Sequence, residues 1–333
     1  MSGWVSRPML VAFAVFGTLP LWIEALGLYR YLGVEIMIWC LFALGFNLLL
    51  GYTGLPSFGH GAYFGIGAYA MGLIQLRLVA NLWLGLLAAT LAAAIVGGVV
   101  ALFISHRRGI YFALMTIAFG QMFFFIASKW TSVTGGEDGL LNIQRLPVDV
   151  GVGRISLVSN LALSYFTFAA FVVVSVLLWR LVQSPFGKVL RAIKQNETRM
   201  AYLGYRVFVY KWMSFTLSCA VAGFAGGLFA MAQGGAYVQV MSLQWSGVVV
   251  LMTLIGGGLV SFWGPVVGTV VYFLARDLLG AYTESWLLWF GLMFMLVVMF
   301  KPEGVAGVWQ SIGEKRAARR RARAGTLQPA VGD

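Results

Sequence analysis

"GYTGLPSFGHGAYFGIGAY", residues 51–69, packs six glycines and one histidine into nineteen positions, with long apolar runs on both sides. In a soluble helix each such glycine costs about 1 kcal/mol relative to alanine. A density like this makes sense only if the solvent around it is not water. The neighbouring sequence points the same way. Residues 36–76, 78–106, 109–128, 155–179 and 212–275 contain no Asp, Glu, Lys or Arg. A membrane-crossing helix needs about 20 largely apolar residues, and each run is that long or longer. Of 333 residues, 60% are hydrophobic and only 10% charged, where a soluble domain carries about 25% charge. The fold class is therefore all-α, a polytopic integral membrane protein.

Punctuation by Gly, Pro and charge divides the chain into about ten transmembrane helices, near 8–28, 31–51, 56–76, 81–104, 110–128, 160–182, 209–232, 243–260, 264–282 and 284–300. The third, eighth and last are the weakest full crossings, and eight spans with two re-entrant segments would preserve the sidedness. The first run, after Arg7, lacks a small-x-small cleavage site and is read as a span rather than a leader. If both termini are cytoplasmic, seventeen of the 23 basic residues fall inside, as the positive-inside rule expects. Outside fall Arg30, Arg77, Lys129, Arg145, Arg154 and Arg276. "GLPSF" at 54–58 echoes as "GLVSF" at 258–262, either a parallel internal repeat or a chance recurrence.

In lipid, helices associate through close backbone approach at small residues, and Gly61 and Gly65 make a G-x-x-x-G face. Gly67, Ala68 and Gly72 extend the pattern. Pro56 breaks the chain between two spans, and non-helical backbone at membrane depth must be lined by protein or a watery cavity. The stretch thus belongs to the bundle interior, either as helix packing or as the wall of a translocation path. Asn47, Ser57, His60, Tyr63 and Gln121 are the candidate path residues.

Between the sixth and seventh spans lies "SPFGKVLRAIKQNETRMAYLGY", residues 184–205. Ser184 can cap a helix and Pro185 suits its first position. Phe186, Val189, Leu190 and Ile193 form an apolar stripe, with Lys188, Arg191 and Lys194 around it. Gln195–Thr198 turns into a second short helix ending near Gly204. Such a helix commonly lies on the membrane surface.

Several function classes recede. No G-x-x-x-x-G-K-[ST] occurs, so this chain has no P-loop of its own. An ion-coupled secondary transporter places ionisable groups at mid-membrane, and here Glu24, Glu35, Arg276 and Asp277 lie near outer span ends. The two histidines and few acids make no catalytic or metal constellation, and none is expected. Cys40 and Cys219 read as small packing residues. The positive charge sits mainly in cytoplasmic segments and does not call for nucleic acid.

"NLLLGYTGLPSFGHGAYFGIGAYA" at 47–70 resembles the signature of branched-chain amino acid ABC transporter permeases of the LivM type. "GIYFALMTIAFGQMFFFIASKWTSVTGGEDGL" at 109–140 resembles it too, as do the 184–205 loop, "LIGGGLVSFWGPVVGT" and "FKPEGVAG". The blocks run in the family's order from about 35 to 307, the expected permease domain being 1–307 with a basic cytoplasmic tail at 308–333. The tail is expected to rest on anionic lipid.

The resemblance implies an importer subunit in the bacterial inner membrane, moving branched-chain amino acids or relatives such as urea, amides or aromatic acids. It implies a second, LivH-like permease subunit, two ATP-binding cassette subunits and a periplasmic substrate-binding protein. The chain itself takes no cofactor, ATP being bound by the partner subunits. The 184–205 loop would be the coupling element, presenting Phe186, Leu190, Ile193, Asn196, Glu197, Ala201 and Gly204 to an ATPase. Glu197, Ala201 and Gly204 fit the family's E-x-x-x-A-x-x-G spacing, whereas Thr198 and Arg199 replace the usual two alanines after the glutamate. The outer loop "TSVTGGEDGL" is either a plain loop or the binding-protein contact, through Glu137 and Asp138.

Overall fold

The computed structural model describes residues 7–23, 27–149, 154–259, 261–283, 285–300 and 304. Glu24, "FKPEGVAG" after Phe300 apart from Gly304, and the basic tail lie outside the described residues.

The chain is a bundle of helices. α1 spans Arg7–Trp22, α2 Arg30–Asn47, α3 Gly61–Arg77, α4 Leu82–Ile104 and α5 Gly109–Lys129. A one-turn α6, Thr131–Thr134, opens a long connection, and α7 runs over Asn160–Gln183. The short pair α8, Pro185–Gln195, and α9, Glu197–Tyr202, precedes α10, Val207–Gln233. α11 covers Leu243–Gly256, α12 Gly264–Tyr282 and α13 Trp286–Phe300. Among the described residues, six helical stretches are long and apolar enough to cross a membrane: Arg30–Thr53, Leu82–Ile104, Gly109–Lys129, Asn160–Gln183, Val207–Gln233 and Gly264–Tyr282. This is a multi-pass membrane protein. α11, with 14 residues, rises about 21 Å against a hydrocarbon core of about 30 Å.

Local chemistry sets the helix ends. Asn81 accepts from the Trp83 and Leu84 amides and starts α4; Ser159 and Ser242 start α7 and α11 the same way. Gly234 and Gly257 close α10 and α11 in the left-handed region. Ser184, expected as a cap, instead donates to Leu181 O at 2.6 Å, and Pro185 alone opens α8.

α2 is the axis of the bundle, buried from Ile36 through Asn47. It packs on α7, α10, α11 and α12, while α3, α4 and α10 pack together beside it. The α3–α10 crossing is backbone on backbone. A Cβ on Gly67 would strike Gly223, and one on Gly226 would strike the Phe64 carbonyl. Arg276 pairs with Glu35 at 3.0 Å and Asp277 at 2.9 Å, tying α12 to α2. The loop after α6 takes part in two small ladders that an all-α reading does not anticipate, one of them with the segment after α10. β1 (Leu140–Leu141) pairs with β4 (Gly235–Ala236), and β2 (Val148–Asp149) pairs with β3 (Arg154–Ile155). Arg145 pins this loop by donating to Val158 O, Asn160 Oδ1 and Ala232 O.

Candidate functional site

Two regions gather the polar chemistry: the glycine-rich stretch inside the bundle, and the α8–α9 pair at one end. In the first, α2 does not stop at Asn47 but widens into a π-helical turn, Leu48–Thr53. Gly54, at φ 76°, ends it in the left-handed conformation. Residues 54–60 are then non-helical, so α3 begins five residues later than the expected 56. The chain supplies partners for that exposed backbone. Thr116 Oγ1 on α5 accepts from the Phe58 amide at 3.1 Å, and Ser246 Oγ on α11 accepts from the Gly61 amide at 3.0 Å. On α10, Ser218 Oγ donates to Gly45 O at 2.7 Å, and Ser214 Oγ lies 2.7 Å from Thr53 Oγ1. Ser214 and Ser218 are one helical turn apart on the face that also carries Ala222 and Gly226. Read as a small polar stripe, that spacing was the available signal for them.

His60 has no exposed surface. The rings of Phe42, Phe46, Tyr63 and Phe215 surround it at centroid distances of 5.3–6.0 Å. Its Nε2 lies 2.8 Å from Ser218 Oγ. That hydroxyl has one proton and gives it to Gly45 O, so it accepts from Nε2–H. Nδ1 is then a bare acceptor, and it has no partner. The histidine stands in a closed aromatic box rather than the wetter interior space expected for it. Tyr63 is part of the box. Ser57 is fully buried with its hydroxyl unpartnered, and Asn47 is 1% exposed with both amide atoms unpartnered. Gln121 stands apart from the other four, exposed on α5.

Gly61 and Gly65 are closely packed, but not against another spanning helix. A Cβ on Gly61 would meet Val240 O at 2.7 Å and Ser246 Oγ at 2.8 Å. One on Gly65 would run into the Met241 side chain. The partner is the 3₁₀ turn Val238–Met241 with the first turn of α11. The tight helix crossing belongs to Gly67, two positions on.

At the α8 end the apolar stripe faces inward. Leu190 has no exposed surface, Ile193 is 3% exposed, and Phe186 stacks on Tyr210 of α10 at 5.7 Å. Ile193 packs with Met200 and Val207. These three expected ATPase contacts are spent on this chain's own fold: Phe186 and Ile193 meet α10 through Tyr210 and Val207, and Leu190 joins the main core. Glu197 is also held inside, 2.9 Å from Arg108 Nε and 3.3 Å from Lys211 Nζ. Asn196 accepts from the Arg199 amide at 2.8 Å and caps α9. What points outward is the tip: Ala201 and Gly204 are exposed, Tyr202 is 88% exposed and Leu203 66%. Lys194 Nζ donates to Gly51 O at 2.7 Å and Leu259 O at 3.3 Å. Burial lowers its pKa from the ordinary lysine value. Its stem also lies against Gly54, so the two echoing segments meet beneath one side chain.

At the other end Glu137 and Asp138 are exposed on a 3₁₀ turn, Gly136–Asp138. Glu137 lies 3.6 Å from Lys129. Among the described residues no group of three or more His, Cys, Asp or Glu could hold a metal ion.

A family model described as branched-chain amino acid transport system / permease component matches residues 29–301. The high-affinity branched-chain amino acid transport system permease protein LivM of Escherichia coli is 28% identical over 289 residues, 81% of this chain and 68% of the relative. A probable branched-chain amino acid transport permease protein LivM of Methanocaldococcus jannaschii is 26% identical over 311 residues, 79% of this chain and 88% of the relative. A nucleoside ABC transporter permease protein, NupC of Lactococcus lactis, is 27% identical over 139 residues, 39% of this chain and 41% of the relative. No solved structure gives a significant match.

Proposed function

This chain belongs to the branched-chain amino acid transport system permease components, and from that membership we propose that it carries branched-chain amino acids inward as a membrane subunit of an ABC importer. The observation that carries the reading is the α8–α9 pair. It is anchored to α10 from behind by Phe186, Ile193 and Glu197, and it offers an exposed Tyr202–Leu203 tip to a partner. A rigid element with an apolar tip suits the docking of an ATPase, which this chain, lacking a P-loop, requires from elsewhere.

Two such ATPases, a LivH-like second permease and a periplasmic binding protein complete the assembly, in a bacterial inner membrane. The binding protein meets the outer loop at Glu137 and Asp138. About ten spans, some of them short, with both termini cytoplasmic, fit the charge distribution. The tail rests on anionic lipid. Gln121, a polar side chain exposed on an apolar helix, marks the face of α5 along which solute passes. Asn47, Ser57 and His60 carry unpaired polar atoms that find partners when the 48–60 segment rearranges during transport. The nucleoside-permease relative keeps one other solute class in view.

Tyr202→Asp and Leu203→Asp test the docking. Either buries an unpaired carboxylate in a partner groove, at a cost of several kcal/mol. Folded yield of the permease should hold while co-purification of the ATPase and uptake fall. Normal co-purification of both variants would remove the tip from the interface. A cysteine at Lys188 should be shielded from an impermeant maleimide in intact cells, and one at Ser132 should react, after Cys40 and Cys219 are replaced.

A further inference from the structure

A cavity of about 350 Å3 lies between α8, the π-helical turn and the start of the second echoing segment, lined by Gly51, Tyr52, Arg191, Lys194, Gln195, Gly258 and Leu259. Two of these side chains are cations and none is an acid. Cavities that hold small molecules start at roughly this size. The Arg191 guanidinium lies 5.4 Å from the Tyr52 ring centroid and spends one N–H on Val182 O at 2.9 Å. That fixes the plane of the fork, the arrangement suited to recognising a carboxylate. The Lys194 ammonium stands opposite, half of it shielded by the Gly51 and Leu259 carbonyls.

The glycines of the cavity wall are fixed by what lies behind them. Asn47 is 1% exposed, and neither atom of its carboxamide has a partner. A Cβ on Gly51 would collide with Asn47 Oδ1, and one on Gly258 would come within 2.7 Å of it. The two lining glycines thus pack directly on the Asn47 carboxamide, which keeps the cavity wall free of side chains at that point.

We propose that this cavity binds a small free carboxylate of amino-acid size from the cytoplasm, held by Arg191 and Lys194. The charges favour a monoanion, because the Lys194 ammonium is already shared between two carbonyls. The identity of the occupant rests on the importer reading: the site opens on the side to which solute is delivered, so the carboxylate it meets is released product.

The full chain in phosphatidylcholine nanodiscs is titrated calorimetrically with isovalerate, L-leucine, isopentylamine and inorganic phosphate. Isovalerate and leucine should bind, and isopentylamine, which lacks the carboxylate, should not. Arg191→Gln should weaken binding about tenfold or more. Gln195→Glu should do the same from an exposed position at the mouth, where it adds repulsion without disturbing an internal contact. Binding of isovalerate but not leucine would keep the carboxylate site and overturn the amino-acid solute. Absence of carboxylate binding, equal binding of isopentylamine, tighter binding of phosphate, or affinities unchanged in both variants would overturn the site.

Discussion

The Lys211 ammonium, buried to 1% of its side chain, lies 3.3 Å from the Glu197 carboxylate. Lys211 belongs to the long helix α10 and Glu197 to the short helix α9, so the pair ties the α8–α9 loop to the helical bundle. The second bond of the ammonium, 2.7 Å to Arg107 O, brings the α4–α5 turn into the same knot. Arg108 closes it from the other side of the carboxylate. A pull on α9 is therefore felt by α4, α5 and α10 together.

Glu197→Gln should loosen that knot. It leaves a buried ammonium facing a neutral amide, and removing one partner of a buried pair costs about 3–5 kcal/mol, less here because the glutamate is partly exposed. The melting temperature of the purified chain should drop, and uptake should fall more steeply than ATPase co-purification. Arg108→Gln removes a half-exposed partner and should shift the melting temperature little. Equal, negligible shifts for both would mean the pair is not structural.

Leu190→Asp separates a buried stripe from a docking face. With Leu190 fully enclosed by its own chain, an aspartate there is an unpaired buried carboxylate, costing several kcal/mol of this chain's stability. Folded yield in detergent should collapse before any partner is involved. A normal yield with lost ATPase binding would return the stripe to the interface.

Substitutions along the glycine-rich stretch should be graded by what each side chain would meet. At Gly65 the obstacle is the flexible Met241 side chain, so Gly65→Ala should cost about 1 kcal/mol or less. At Gly67 the obstacle is the backbone of Gly223, which cannot move without separating α3 from α10. Gly67→Ala should cost about 1–3 kcal/mol and lower the melting temperature well below that of Gly65→Ala. The reverse order would refute the crossing.

The membrane class, the run of apolar helices and the interruption near Pro56 were legible because each follows from composition or from one residue's backbone chemistry. The amphipathic helix over 185–195 was legible from its spacing. Which way it faces was not. A stripe of Phe186, Leu190 and Ile193 says that a partner exists, and only the three-dimensional path of α10 reveals that the partner is the same chain. The same limit applies to Gly61 and Gly65: the motif announces close approach, while its counterpart, a 3₁₀ turn more than 170 residues away in sequence, leaves no mark on it. Lys194 was visible only as one more charge on a basic face. Its role depends on two carbonyls that come together at the end of the fold.

The final test concerns the aromatic box. Ser218 accepts the His60 Nε2 proton and passes its own to Gly45 O, so the hydroxyl joins α3's entry to both α10 and α2. Ser218→Ala strands Nε2–H among four rings, with no water to satisfy it. An orphaned buried donor costs about 1–3 kcal/mol. His60→Phe alone removes the unpaired Nδ1 along with the donor, keeps the box apolar, and leaves Ser218 bonded to Gly45. The double variant should therefore be more stable than Ser218→Ala, with a coupling energy near 1 kcal/mol, as membrane-interior hydrogen bonds typically give. Thermal unfolding of the four proteins measures it. Additive effects would mean that the serine and histidine do not share a proton, and that the tautomer drawn from Gly45 is wrong.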